Sequence, residues 1–130
     1  DWTLLQSAMK NPLVTNQIEI SVTENSALTN GDLAFLQERS KVPMAWSPLA
    51  GGALFSGNNS ELLKILTEVG EGDAAAAAVA WLLAHPAQIA PVMGTNSLAR
   101  IKKLSQCLKL EMNRETWFDI YGAANGQEVP

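Results

Sequence analysis

Three short runs rich in apolar and β-branched residues alternate with longer stretches of helical periodicity, and this alternation constrains the fold more than any other feature of the chain. The runs are Leu13–Ile20, Val42–Ser47 and Ile89–Met93. Strands that alternate with helices pair in parallel, because a parallel crossover needs a long connection and a helix supplies it. The predicted order is α-β-α-β-α-α-β-α-α over 130 residues, an α/β fold read as one segment, residues 1–130, with no second domain. Three strands cannot close a (β/α)8 barrel, which takes about 250 residues, and a flavodoxin-like sheet has about five strands. The count fits the last three β/α units of a barrel. A start on Asp1, with no initiator Met and no basic leader, is what a chain that begins mid-protein would show.

The helices follow from apolar spacing and end signals. Leu4, Leu5 and Met9 sit at helical spacing before Asn11-Pro12. Thr29 precedes Asp32 as in a capping box, for a helix expected to bury Leu33, Phe35 and Leu36. Beyond the glycine-containing stretch Pro48–Gly52 and the polar residues Ser56–Asn59, Ser60 is expected to cap a helix with Leu62, Leu63, Leu66 and Val69 inside. Gly70 to Gly72 break it, and Asp73 caps the next helix, Ala74–Ala84, with Val79, Leu82 and Leu83 in the core. His85-Pro86 stops that helix. After the third strand a helix is expected to bury Leu98, Ile101, Leu104 and Leu108 and to leave Arg100, Lys102 and Lys103 on its other side. A last helix starts at Asn113, with Met112 and Trp117 placed for a hydrophobic staple.

Composition removes several function classes. A chain with 47% hydrophobic and 17% charged residues buries a core and is not disordered, and this little charge on so short a chain suggests surface that expects a neighbour. A net charge of −4 without a basic stripe argues against nucleic-acid binding. No window reaches the length of a membrane span. Cys107 is the only cysteine, so there is no disulfide framework or thiolate metal site, and a reducing cytoplasm is expected. Cys107 reads as a packed small residue. His85 lies at a helix C-terminus, where a cation is favourable, Tyr121 reads as core or rim, and Glu68 and Glu71 form no metal or glycosidase arrangement.

Four segments in order carry a family resemblance. Thr15-Asn16-Gln17-Ile18-Glu19-Ile20 resembles the sixth strand of aldo-keto reductases, and Met44-Ala45-Trp46-Ser47-Pro48-Leu49 resembles their seventh. Ala80-Trp81-Leu82-Leu83-Ala84-His85-Pro86 resembles the helix before the last strand. Val92-Met93-Gly94-Thr95, with Arg100 five residues on, resembles the eighth strand and the adenine-binding helix after it. The texture is closest to the family's bacterial YdhF-type oxidoreductases. The resemblance implies the C-terminal portion of a TIM (β/α)8 barrel, strands 6–8 plus C-terminal helices, from an enzyme that reduces aldehydes or ketones with NAD(P)H. This chain would then supply much of the cofactor site and none of the catalytic tyrosine, lysine, aspartate and histidine, so that alone it would be inactive.

The site residues implied are Gln17, Trp46, Ser47, Leu49, Gly51, Thr95, Asn96, Ser97 and Arg100, all cofactor-binding; none is catalytic and none binds metal. Gln17, near the C-terminal end of its strand, would bond the nicotinamide carboxamide, since an amide both donates and accepts; bonding a neighbouring loop is its other reading. Trp46 stands where the family stacks an aromatic ring, more often Tyr, on nicotinamide, or else is a core tryptophan. Ser47, Leu49 and Gly51 open a loop that would fold over the pyrophosphate, glycine allowing close backbone approach, unless it is an ordinary long loop. Thr95, Asn96 and Ser97 open a helix whose free N–H groups favour an anion. Arg100 would hold the 2′-phosphate of NADP, or these four are simply a helix cap and a solvated arginine. Gly94 replaces a lysine common in relatives, which weakens the preference for NADP over NAD without removing it. The partners implied are the nicotinamide dinucleotide and a small carbonyl substrate, with self-association of the half-barrel through unpaired strand edges. The alternatives are a non-catalytic cofactor-binding or assembly module, as in the reductase-like subunits of potassium channels, and an inactive proteolytic remnant that self-associates.

Overall fold

The computed structural model describes residues 1–56 and 60–126. Its elements are α1 (Trp2–Ala8), β1 (Gln17–Glu19), α2 (Asp32–Glu38), β2 (Met44–Trp46), α3 (Ser60–Val69), α4 (Ala74–Leu83), β3 (Ala90–Pro91), α5 (Leu98–Leu104) and α6 (Arg114–Asn125). Short 3-10 helices at Ser26–Leu28, Ala50–Phe55 and Ser105–Lys109 punctuate this order. The α/β alternation is as expected. The three strands form one parallel sheet in the order β1-β2-β3, with Gln17 opposite Met44, Glu19 opposite Trp46, and Met44 opposite Ala90.

The strands are shorter than the apolar runs that foretold them. A strand needs a neighbour to complete its ladder; residues 13–16 and 42–43 share only a few ties, such as Thr15 Oγ1 donating to the Val42 carbonyl at 2.6 Å. Side chains alternate across the sheet. Ile18 and Ala45 face the core formed by Leu33, Leu62, Leu66, Ala77, Ala78, Trp81, Leu82 and Ile120, which come from α2, α3, α4 and α6. Gln17, Glu19 and Trp46 lie on the opposite, exposed face.

Helix α4 is buried almost all round, with Ala76 to Leu82 all inside. Its alanines let α3 and the sheet approach closely, and Asp73 caps it by accepting from the Ala76 N–H at 3.1 Å. Trp81 of α4 and Trp117 of α6 stack at 4.7 Å with an interplanar angle of 8°. Each indole N–H donates to the other residue's carbonyl at 3.0 Å, so neither the buried Trp81 nor the half-buried Trp117 leaves its donor unpaired. Tyr121 extends the stack on the far side of Trp117, which fits its rim reading.

Several local expectations are corrected. Gly31, in the left-handed region at φ 96°, precedes α2, while Thr29 donates to the Ser26 carbonyl and ends the preceding 3-10 turn. Asn30 rather than Thr29 supplies the side-chain acceptor, to the Asp32 N–H. Phe35 is only half-buried, its ring between Trp2 and the Arg39 guanidinium. Ser60 is the first residue of α3 rather than its cap, and 57–59 lie outside the described residues. Leu83 is partly exposed. The largest departure is α5: Leu98, Ile101 and Leu108 are exposed and only Leu104 turns partly inward. The helix stops at Leu104 and a 3-10 turn inserts Cys107 against Ala76, Val79 and Ala80 instead. Asn113 caps α6 as expected, accepting from the Thr116 N–H at 2.9 Å, and Met112 and Trp117 both pack on the main core.

Candidate functional site

The loops that leave the C-terminal ends of β2 and β3 enclose a cleft of about 720 Å³. Parallel pairing puts these ends side by side, which is where open and closed α/β folds carry their sites. One wall is the loop Ser47–Gly52 with Phe55; the other is Val92–Thr95 with Arg100, Lys103 and Leu104 of α5; Asp73 and Ala75 close the floor.

The first wall is conformationally unusual. Ser47, Ala50, Gly51 and Gly52 all have positive φ, at 53°, 51°, 61° and 93°. Glycine tolerates this, but serine and alanine are held there against a preference of roughly 1 kcal/mol or more each. The loop's shape is therefore imposed by its surroundings, and two successive turn bonds hold its reversal: the Ala50 N–H donates to the Ser47 carbonyl at 2.8 Å and the Gly52 N–H to the Leu49 carbonyl at 2.9 Å. No neighbouring atom lies within 4 Å of where a Cβ on Gly51 or Gly52 would stand, so both glycines leave space open beside the cleft.

Of the residues singled out in the sequence, Ser47, Leu49, Gly51, Thr95 and Arg100 line this one cleft. Trp46 ends β2 just below the loop and is 42% exposed on the open sheet face, so it is not a core tryptophan of this chain. Gln17 needs correcting. It begins β1 rather than ending it, level with Met44 and two residues short of Trp46, because the ladder runs only from Gln17 to Glu19. It shares the open face with Trp46 but does not reach the cleft. Asn96 and Ser97 also lie outside the cleft. Ser97 caps α5 through the Arg100 N–H, and Thr95 Oγ1 accepts from the Ser97 N–H. The start of α5 thus spends part of its N–H supply on its own caps.

Two residues that periodicity did not bring forward also line the cleft. Asp73 was read only as a helix cap, and Lys103 only as a solvated residue of α5; they meet at 3.4 Å. The signal that could have found Lys103 is its spacing of three from Arg100, which puts both on one helix face.

The titratable residues away from the cleft take structural roles. Burial pushes the Cys107 thiol up, so this cysteine is held as the unreactive thiol. His85 was expected to act as a cation at the end of α4. Instead its Nδ1 accepts from the Ala87 N–H at 3.1 Å, its ring lies 5.9 Å from that of Trp117, and burial lowers its pKa. The fold therefore holds the neutral ring. The corresponding stability is present above about pH 6.5, the unfolded value, and is lost as pH falls through the lower folded value. Denaturation midpoints followed from pH 7.5 down to 5 are expected to fall more steeply in the natural protein than in His85→Gln; parallel curves would contradict the assignment. Among the described residues no group of three His, Cys, Asp or Glu side chains could hold a metal ion, and no helix is long and apolar enough to cross a membrane.

Residues 1–124 match the Aldo/keto reductase family. The chain is 54% identical to the 6-dehydroglucose reductase of Agrobacterium fabrum, and 37% identical to the oxidoreductase YdhF of Escherichia coli and to the uncharacterised oxidoreductase YcsN of Bacillus subtilis. Each match covers 99% of this chain and 44–45% of the relative, so the chain spans less than half the length of these proteins. Among solved structures, the thermostable aldo-keto reductase Tm1743 in complex with the inhibitor epalrestat superposes with a TM-score of 0.80 at 18% identity, over 93% of this chain and 43% of that one. Aldose reductase from Giardia lamblia superposes with a TM-score of 0.71 at 16% identity, over 99% of this chain and 43% of that one. At these identities the structural likeness speaks to fold alone.

Proposed function

The chain belongs to the aldo/keto reductase family, and from that premise we propose that it is the C-terminal portion of a (β/α)8 barrel reductase, strands 6 to 8 with the following helices, carrying the dinucleotide site. One observation supports this most: the strained Ser47–Gly52 loop and the Thr95–Arg100 corner, distant in sequence, form the two walls of one cleft. Its volume falls within the roughly 300–1,000 Å³ of ligand sites. In a chain of net charge −4, this cleft carries two cations, Arg100 and Lys103, against one carboxylate, Asp73. The donors suit phosphates.

In this reading the N–H groups of Leu49 and Gly51 and the Ser47 hydroxyl cradle the pyrophosphate, while the Ala50 and Gly52 N–H groups hold the loop's own turns, and Arg100 holds the adenosine end with its planar fork. Trp46, exposed beside the loop, offers a flat face against which the nicotinamide ring is oriented. Gln17, at the start of β1, does not reach the cleft and shares the open sheet face with Trp46. When bound, NADPH supplies the hydride that reduces an aldehyde or ketone carbon. The proton comes from a tyrosine outside these residues. Tyr121, the only tyrosine here, is stacked on Trp117, and His85, the only histidine, is packed at the end of α4; neither lines the cleft.

The open sheet face and the two strand edges are covered by the remaining barrel strands in this reading. Residues 1–130 alone are therefore expected to associate with further copies of themselves. The test is to follow NADPH oxidation by the full-length protein and by residues 1–130 alone, with a panel of aldehydes, ketones and oxidised sugars. The name of the Agrobacterium relative makes the last class worth including. Carbonyl-dependent oxidation by the full-length protein, and none by residues 1–130, is the result expected. Turnover by residues 1–130, or none by the full-length protein with any carbonyl, would overturn the reading.

A further inference from the structure

Strand β1 is apolar on one side and polar on the other. Ile18 and Ile20 turn toward the helices, Ile20 fully buried, while Gln17 and Glu19 lie on the open sheet face. Residues paired in register point the same way, so Glu19 stands beside Trp46 and Gln17 beside Met44, with Ala90 next across the sheet. Glu19 is the only charged residue in the three strands. Glutamate has little tendency to enter a strand, so its presence here calls for a reason other than strand formation. Among the described residues it forms no ion pair, the two ion pairs being Arg39–Glu38 and Lys103–Asp73. Its neighbours on the face, Gln17, Met44, Trp46 and Ala90, carry no charge. Glu24, the next charge along the chain, lies in the following loop and accepts from the Ser26 hydroxyl at 2.6 Å.

In the barrel reading the remaining strands close over this face. A carboxylate shut in against Met44, Trp46 and Ala90 is strongly unfavourable by itself, so it takes up a proton or a cation. The chemistry at its level in the sheet favours the cation. Glu19 is level with Trp46, the residue set to orient the ring that delivers hydride. As hydride reaches a carbonyl carbon, negative charge develops on the oxygen, and a fixed positive charge nearby stabilises it. Such a cation must itself be held in place by a counter-charge, and the three strands offer one carboxylate.

We propose that Glu19 is a positioning residue: its carboxylate is the counter-charge that orients a lysine or arginine of the strands covering this face, and the pair sets the field at the reducing centre beside Trp46. The assignment rests on the barrel reductase reading given above.

The test compares the full-length protein with its Glu19→Gln and Glu19→Asp variants by pH profile of kcat and by NADPH titration. A nearby negative charge raises the pKa of an acid and an unbalanced cation lowers it, so the group that protonates the carbonyl oxygen loses its proton more readily once the carboxylate is gone. Glu19→Gln is expected to move the alkaline limb of the profile down by about one pH unit and to lower kcat about tenfold. Its Kd for NADPH is expected to change less than about twofold, since Glu19 does not line the cleft. Glu19→Asp keeps the charge and is expected to leave the limb in place. An unmoved limb in Glu19→Gln, whatever its thermal midpoint, would overturn the role of Glu19 and leave the reductase reading standing. If Glu19→Gln does not fold, a crystal structure of the full-length protein decides: a lysine or arginine nitrogen within about 4 Å of the Glu19 carboxylate is expected, and none there would overturn the assignment. Absence of carbonyl-dependent NADPH oxidation by the natural protein would overturn the reductase reading, and this assignment with it.

Discussion

Replacing Trp81 with alanine is expected to destabilise the protein by about 3–5 kcal/mol, the range for a tryptophan truncated in a core. Trp81 is 1% exposed and its ring is covered by that of Trp117. The substitution removes the stacked contact and the indole N–H that donates to the Trp117 carbonyl, and leaves the Trp117 N–H as the only remaining tie of the pair. Stacking alone contributes about 0.5–1.5 kcal/mol beyond area. Urea denaturation of the full-length protein gives the check. A double-mutant cycle with Trp117→Phe, which keeps a ring and removes its N–H, is expected to show coupling, because the two residues share both the stack and the hydrogen-bond exchange. A shift in midpoint corresponding to less than about 1 kcal/mol would mean that α4 and α6 are held together by something other than this pair.

Gly70→Ala is expected to act on stability and on the cleft together. Gly70 is buried in the turn between α3 and α4, where a Cβ would stand 2.1 Å from the Asp73 carbonyl oxygen, 2.7 Å from its carbon and 2.9 Å from the Leu66 carbonyl oxygen. All three neighbours are backbone, so relief requires the turn itself to open rather than a side chain to rotate. Overpacking of this kind costs typically about 1–3 kcal/mol and sometimes more. The same turn sets Asp73, which caps α4 and holds Lys103. The variant is therefore expected to lower both the thermal midpoint and NADPH affinity, whereas Gly94→Ala, with no atom within 4 Å of its Cβ position, is expected to leave the midpoint nearly unchanged. Equal midpoints for the two variants would contradict this account of the turn.

The parts of this architecture that could be read from sequence are those written locally. Asp73 and Asn113 announce their helices because the capping acceptor and the N–H it serves are three residues apart. The β-α alternation survives because it rests on runs of several residues each. The cleft's loop was visible through Gly51 and Gly52, but not the positive φ of Ser47 and Ala50, which residue type does not announce.

What escaped depends on contacts between distant residues. Whether Leu13 and Val14 belong to a strand is decided by a partner 27 or more residues away, and the ladder begins only at Gln17. This also displaced Gln17 from the strand end to the strand start. Periodicity places the apolar stripe of α5 inward, yet Leu98 and Ile101 are exposed while Arg100 and Lys103 meet the cleft. Periodicity reports that a helix has two faces, not which of them meets the rest of the chain. His85 looked like a favourable cation until the Ala87 N–H was found to need its Nδ1 as acceptor.

The central claim is that the walls formed by residues 47–52 and 94–103 hold the dinucleotide. Hydrogen exchange of the full-length protein, followed by mass spectrometry with and without NADPH, tests it most directly. The account predicts slowed exchange in both of those segments on addition of NADPH, and unchanged exchange in α6, whose stack with α4 lies apart from the cleft. Protection that appears elsewhere, with neither segment slowed, would contradict it.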